Sequence, residues 1–180
     1  MIDYGKIADA ITFYKDFQYI EAPWATSLKA LSITMPPGHK LFPLEDRYLV
    51  ASAEQSFLQM IQDKLLKPGK YLTVTPCFRD DPISETHQRY FIKAELINYT
   101  EKTWELDEML QQAFKFFQRY LKPQIVETST PDALSFDINS SKGIELGSYG
   151  IRYHSDIGYW IYGTGVAEPR LSYAIGSESR

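Results

Sequence analysis

The sequence lacks the features that define several classes of protein. Its single cysteine, Cys77, rules out an internal disulfide and favours a reducing compartment. It has no long apolar run and no signal-peptide or transit-peptide pattern, which predicts a cytoplasmic protein without a membrane span. A surplus of positive charge is also missing, because the formal net charge is −4, so the chain has no overall attraction for nucleic-acid phosphates.

What the 180 residues do contain indicates one globular domain, with an aromatic content that suits a β-rich core or a binding cleft. Apolar residues recur at helical spacing in residues 3–18, 53–66 and 103–122. Strand-like runs separate these helices, and further short strands follow residue 124. This order predicts an α+β fold in which helices cover an antiparallel β-sheet.

Two proline- and glycine-bearing segments are predicted to be irregular. Residues 29–46 contain three prolines and a glycine and are interpreted as a long loop that covers a functional site. The segment GTGVAEPRLSYAI, residues 163–175, is interpreted as a glycine-punctuated turn that leads into a helix.

Residues 70–95 predict a β-hairpin that is able to clamp a nucleotide. Arg79 ends the first β-rich run, His87 lies near the exit of a polar loop, and Phe91 lies in the second run. An arginine fork binds phosphate, and an aromatic ring stacks on a base. The same residues also fit an ordinary surface hairpin, so the rest of the chain must decide between the two interpretations.

Four segments in order resemble motifs of class II aminoacyl-tRNA synthetases. The segment YIEAP (19–23) follows the first helix, as in the first signature motif, and GTGVAEPRL resembles the third. The hairpin resembles the second motif in its aspartyl/asparaginyl form, through Phe78-Arg79-Asp80-Asp81, His87-Gln88, Phe91 and Glu95. GIELGSYGIRYH (143–154) resembles a stretch of aspartyl-tRNA synthetases.

This resemblance implies a site that binds ATP, Mg²⁺ and an amino acid. Arg79 and Arg170 would be the catalytic residues, bridging the α-phosphate to the reacting carboxylate and holding the γ-phosphate respectively. The implied ATP-binding residues are Arg79, Asp81, His87, Phe91, Gly163, Gly165 and Arg170. The implied amino-acid-binding residues are Glu54, Ser148 and Arg152. Mg²⁺ would be held by Glu145, with Asp137 nearby.

The implied function is ATP-dependent activation of a small polar amino acid, with aspartate or asparagine as candidates, as an aminoacyl-adenylate. The acyl group would pass to tRNA or to a small amine. A non-catalytic synthetase paralogue that senses nucleotide or amino acid is the alternative, and an unrelated α+β binding domain is a third possibility. Individual residues also have purely structural interpretations: Arg79 could pair with Asp81, Phe91 could be core packing, and Glu145 could pair with Arg152.

The sequence departs from the family pattern in ways that bear on substrate and partners. Pro169 stands where the third motif has a carboxylate, and Gln55 and its neighbours replace a lysine that holds the substrate side chain in aspartyl enzymes. Residues 1–180 are predicted to be a single catalytic domain without an anticodon-binding domain. The first motif forms a two-fold interface in this family, which predicts a homodimer through residues 5–27.

Overall fold

A seven-stranded sheet forms the centre of the computed structural model, which describes residues 1–100, 102–131 and 133–179. The strand order is β1-β5-β6-β10-β9-β8-β7; β1 pairs with β5 in parallel and all other neighbours are antiparallel. The strands are β1 (Gln18–Tyr19), β5 (Gly69–Phe78), β6 (Tyr90–Tyr99), β7 (Gln124–Glu127), β8 (Ser135–Asn139), β9 (Glu145–His154) and β10 (Gly158–Glu168). Three short strands, β2 (Ala25–Thr26), β3 (Pro43–Leu44) and β4 (Arg47–Leu49), form a second sheet in the order β2-β4-β3.

Helices cover both faces of the large sheet. Their bounds are α1 (Tyr4–Phe13), α2 (Leu28–Ser32), α3 (Ala53–Gln62), α4 (Leu106–Phe117) and α5 (Arg170–Glu178), with a 3₁₀ turn at Thr103–Glu105. The apolar sides of α1, α4 and α5 share the main core with one face of the sheet, and α3 packs against the other face. This antiparallel sheet flanked by helices confirms the predicted α+β fold. Among the described residues, no helix has both the length and the apolar character needed to cross a membrane.

The hairpin of β5 and β6 confirms the strand–loop–strand prediction and sets the orientation of its side chains. Successive side chains of a strand point to opposite faces of the sheet. Ala94 and Leu96 of β6 are buried in the core beneath α1 and α4. Phe91, Lys93 and Glu95 are therefore directed to the opposite face, beside the N-terminus of α3.

Helix α3 begins at the position that the sequence predicts, because Ser52 caps it. The Ser52 hydroxyl accepts a hydrogen bond from the Glu54 backbone N–H at 3.4 Å. The side chains of Phe57, Leu58 and Ile61 then pack on the sheet. The cap fixes the first turn of α3 against β6, and this position determines where Glu54 enters the site.

Several predicted boundaries are wrong. The first helix ends at Phe13 and α4 ends at Phe117, although Tyr14 beyond the first helix is still fully buried. The predicted loop at 29–46 includes the end of α2 and all of β3, and only its middle is irregular. The first half of GTGVAEPRLSYAI belongs to β10, because the register of β10 pairs Gly163 with Leu96 of β6 and Tyr149 of β9.

Candidate active site

A cavity of about 350 Å³ lies on the α3 side of the large sheet, and most of the predicted site residues line it. It is enclosed by the start of α3, by β6, β9 and β10, by the hairpin loop, and by part of the predicted cover loop. The predicted residues that line it are Glu54, Arg79, Asp81, Phe91, Glu145, Ser148, Arg152 and Arg170. From the cover loop, Thr34, Met35, Pro36, His39 and Lys40 also line the cavity.

Arg79 lines the cavity and is fixed at its Nε atom, and among the described residues its terminal nitrogens donate no hydrogen bond. Nε donates to the Ala51 carbonyl at 3.1 Å, and the guanidinium carbon lies 5.1 Å from the centre of the Phe91 ring. Within the described part of the chain, the Arg79 side chain makes no ion pair, so the predicted alternative of a pair with Asp81 is wrong. An oriented guanidinium with unused donors is suited to an anionic ligand.

Arg170 and Glu145 form an ion pair at another side of the cavity. Arg170 Nη1 lies 3.0 Å from Glu145 Oε1, and Arg170 Nε donates to the Thr86 carbonyl at 3.3 Å. The predicted alternative that Glu145 pairs with Arg152 is therefore wrong. The Thr86 contact also joins the hairpin loop to the first residue of α5.

Glu145 could hold a metal ion only together with oxygens from another molecule. Among the described residues, no group of three His, Cys, Asp or Glu side chains is placed to hold a metal ion by itself. Asp137 does not line the cavity; burial raises its pKa and the Ser148 hydrogen bond opposes that shift. Half of the Glu145 side chain is exposed, and one carboxylate plus substrate phosphates is a common ligand set for Mg²⁺. The donor set therefore fits an ion that arrives with a nucleotide.

Glu54 and Arg152 form a second ion pair, in the inner part of the cavity. Glu54 is 4% exposed; its Oε2 lies 2.5 Å from Arg152 Nη1, and its Oε1 accepts from Trp160 Nε1 at 2.7 Å. The Arg152 guanidinium lies 4.2 Å from the centre of the Tyr162 ring. Burial raises the pKa of Glu54, and the charge of Arg152 opposes the rise. Burial also lowers the pKa of Arg152, but the charge and hydrogen bond of Glu54 act against burial, and the net result is a raised pKa.

A third pair, Lys93 with Glu95, belongs to the site although the motif comparison does not include Lys93. Lys93 Nζ lies 2.9 Å from Glu95 Oε1, and both residues line the cavity. The 1%-exposed Glu95 also accepts from the Ser52 hydroxyl at 2.7 and 2.8 Å and from the Ala53 backbone N–H at 3.0 Å. Side chains alternate along β6, so Lys93 lies between Phe91 and Glu95 on the same face. This alternation is visible in the sequence and would have predicted Lys93 as a site residue.

His87 lies outside the main cavity, on the exposed hairpin loop. Its Nδ1 atom is 3.2 Å from the Ser84 hydroxyl and 3.0 Å from the Thr86 hydroxyl. It lines a smaller adjoining cavity together with Asp81, Phe91 and Arg170, among others. Its predicted contact with a phosphate therefore stays a prediction.

Gly163 and Gly165 are required for packing of the core. A Cβ on Gly163 would lie 2.6 Å from Met109 Sδ and 2.7 Å from the Tyr149 ring, and one on Gly165 would lie 3.1 Å from the Tyr14 ring. The space that these glycines leave is thus filled by core side chains, and the residue between them, Thr164, lines the cavity. The sequence predicts that these glycines let the backbone approach adenosine, and this role remains a prediction.

Comparison with solved structures identifies the fold. A cytoplasmic seryl-tRNA ligase from Naegleria fowleri in complex with AMP matches with a TM-score of 0.74 and 18% identity, covering 94% of this chain and 52% of that one. A seryl-tRNA synthetase from Pyrococcus horikoshii complexed with ATP gives 0.74 and 18%, with 94% and 48% covered. A pyrrolysyl-tRNA synthetase from Desulfitobacterium hafniense gives 0.75 and 16%, with 97% and 68% covered.

The chain thus has the fold of class II aminoacyl-tRNA synthetases and spans about half the length of the seryl enzymes. These neighbours support the class II fold without supporting the aspartyl/asparaginyl branch. No protein-family model and no curated protein sequence matches the chain.

Proposed function

We propose that the cavity binds ATP and activates the carboxylate of an amino acid as an acyl-adenylate, with residues 1–180 acting as one catalytic domain. The observation that carries this proposal is that side chains from five separate sequence segments, 34–40, 51–55, 78–95, 145–152 and 162–170, line one cavity. The cavity has a volume suited to small ligands. Its lining side chains include Arg79, Phe91, the ion pair of Arg170 with Glu145 and the ion pair of Arg152 with Glu54. The fold relatives in complex with AMP and ATP agree with a nucleotide site.

The reaction joins two anions, so the protein must hold them together and neutralise charge. A carboxylate oxygen of the amino acid attacks the α-phosphorus of ATP, the bond from that phosphorus to the bridging oxygen breaks, and pyrophosphate leaves with its electron pair. Arg79, which lines the cavity, would bridge the two reacting groups. Such fixed donors stabilise the charge of the transition state and need no covalent nucleophile.

The remaining residues would position the nucleotide and the amino acid. Arg170 would exchange part of its contact with Glu145 for the γ-phosphate, and Phe91 would stack on adenine. Glu145 would then be free to hold Mg²⁺ with phosphate oxygens, and the ion would neutralise phosphate charge. Glu54 would accept a hydrogen bond from the substrate ammonium group. The acyl acceptor would be tRNA or a small amine.

Amino-acid-dependent exchange of pyrophosphate into ATP tests the proposal, with calorimetric titration of ATP as a second measurement. We expect exchange with at least one amino acid, and Arg79→Ala to lower it about 10²- to 10³-fold. Arg47→Ala is the matched control, because Arg47 is exposed on β4 and does not line the cavity. Chelation of Mg²⁺ is expected to stop exchange.

The outcomes separate the proposal from its alternatives. ATP binding without exchange for any of the amino acids would refute catalysis and support the non-catalytic sensor. Absence of both ATP binding and exchange would refute the nucleotide site itself. Equal loss in the Arg79→Ala and Arg47→Ala variants would contradict the role given to Arg79.

A further inference from the structure

The charged side chains at the inner end of the cavity neutralise one another. The two carboxylates, Glu54 and Glu95, are 4% and 1% exposed, and each holds a cation, Arg152 or Lys93, within 3 Å. Buried charges are tolerated in proteins when they are paired in this way. A ligand that enters this end therefore meets no unbalanced charge from these four side chains.

The two carboxylates differ in their remaining capacity to accept hydrogen bonds. The two oxygens of a carboxylate provide about four acceptor positions. Glu95 accepts from three donors: the Ser52 hydroxyl, whose one proton lies between both carboxylate oxygens, the Ala53 N–H and Lys93. Among the described residues, Glu54 accepts from Arg152 and Trp160 only, and it lines the cavity with its other positions unused. Glu54 can therefore accept from a ligand without releasing Arg152.

This arrangement bears on the charge of the substrate side chain. An acidic side chain would have to compete with Glu54 for Arg152 and would lie close to a buried carboxylate of like charge. A basic side chain would meet Arg152 and Lys93, whose counter-charges are already engaged. Like-charge contacts are strongly unfavourable in such a site, whereas an uncharged polar group incurs neither cost.

We propose that the Glu54–Arg152 pair makes the site selective for an amino acid with a small uncharged side chain. The inference rests on the proposed adenylate formation and deepens it. The pair engages Nη1 of Arg152 and neutralises its charge, so Arg152 attracts a carboxylate on the substrate side chain less strongly, and Tyr162 keeps the guanidinium in place by stacking. The cavity of about 350 Å³ is at the lower end of the range for small-molecule sites, which favours a small side chain beside the nucleotide.

A pyrophosphate-exchange panel on the unmodified chain is the first test. It compares serine, alanine, threonine and asparagine with aspartate, glutamate and lysine at equal ATP. We expect kcat/KM for the best uncharged amino acid to exceed that for aspartate and lysine by about 100-fold or more. A higher value for a charged amino acid would overturn the inference while leaving adenylate formation established.

Glu54→Gln tests whether the pair is the determinant. The substitution keeps the shape of the side chain and frees the Arg152 charge, so the ratio of aspartate to asparagine activity should rise about tenfold or more. Any loss of ammonium binding affects both amino acids equally and cancels in this ratio. The double variant Glu54→Gln/Arg152→Gln leaves no charge at either position and should reverse the rise.

Glu145→Gln is the matched control, because it also removes a cavity carboxylate, but one that pairs with Arg170 and not with Arg152. It should lower exchange with both amino acids and leave their ratio unchanged. ATP titration and thermal melting show whether each variant is folded. An unchanged ratio in a folded, ATP-binding Glu54→Gln variant, or the same rise in Glu145→Gln, would overturn the assignment to Glu54. If no variant retains exchange, the panel on the unmodified chain still decides on selectivity.

Discussion

At the scale of single residues, a substitution of Phe91 distinguishes a nucleotide-binding role of its ring from ordinary packing within the strand. Its ring is partly exposed, lines the cavity and lies against the Arg79 guanidinium. Loss of base stacking costs about 1–3 kcal/mol, so Phe91→Ala should weaken ATP binding about tenfold or more in a calorimetric titration. Tyr90→Ala is the control, since the neighbouring Tyr90 side chain is 61% exposed and lines neither cavity. Lower stability with unchanged ATP affinity would show that Phe91 is only a packing residue.

A second residue-scale prediction concerns Glu168, which precedes Pro169 and is fully buried. Its carboxylate accepts from the Ser172 hydroxyl at 2.7 Å and the Ser172 N–H at 3.2 Å, and from the Asp3 N–H at 3.3 Å. Burial raises its pKa above the ordinary 4.5, and the hydrogen bonds from Ser172 and Asp3 oppose the rise. The folded chain therefore binds this proton more tightly than the unfolded chain does.

The sign of the pH dependence follows from that difference. Protonation of Glu168 stabilises the fold fully below its ordinary pKa of 4.5, and this contribution is lost as pH rises through the folded pKa. Glu168→Gln removes the dependence. The free energy of unfolding of the variant minus that of the unmodified chain should thus be larger at about pH 8 than at about pH 4, as measured by urea denaturation. A pH-independent difference would contradict the prediction.

At the scale of elements, β10 depends on glycines whose local sequence is typical of a turn. A Cβ at Gly163 would contact Met109 and Tyr149 closer than van der Waals distance, so Gly163→Ala should lower the free energy of unfolding by about 1–3 kcal/mol. Gly176→Ala is the matched control in α5, because nothing lies within 4 Å of a Cβ there. Alanine is a better helix former, so this control should gain up to about 1 kcal/mol. Equal effects in denaturant melts would contradict the packing explanation.

Elements with a strong local pattern can be predicted from the sequence, and those defined by distant partners cannot. The apolar spacing of α4 predicts that Leu106, Met109 and Phe116 are buried, and all three lie in the core. The second half of β10 has a glycine-rich sequence typical of a turn. It is extended because β6 pairs with it as far as Glu168, and this partner is not visible in the local sequence.

The same limit applies to the candidate site. Motif order predicts which residues line a common cavity, and strand alternation is enough to add Lys93. The pairing of Glu54 with Arg152 spans 98 positions of the chain and depends on the sheet bringing Arg152 of β9 and Trp160 of β10 to the first turn of α3. No local pattern carries that information, so the sequence by itself makes Arg152 a reader of the substrate side chain.

At the scale of the whole molecule, the sheet is a platform on which chain segments far apart in sequence meet. The strand order places β6 and β10 side by side in the middle of the sheet. The first motif lies elsewhere: α1 packs on the core face, and β1 adds to the β5 edge of the sheet. Among the described residues, none of 5–27 lines the cavity, so the cavity and this edge are formed by different parts of the chain.

The predicted homodimer would use this edge. Within residues 5–27, Tyr19 and Trp24 are 46% and 59% exposed, and large apolar side chains of this kind dominate the energetics of interfaces. We expect sedimentation velocity at micromolar concentration to show a dimer. Trp24→Ala should weaken it about tenfold or more, because central tryptophans contribute about 2 kcal/mol or more. Trp104→Ala, at a 72%-exposed tryptophan outside the segment, should leave the dimer intact. A monomer of the unmodified chain, or equal weakening by both substitutions, would contradict an interface through residues 5–27.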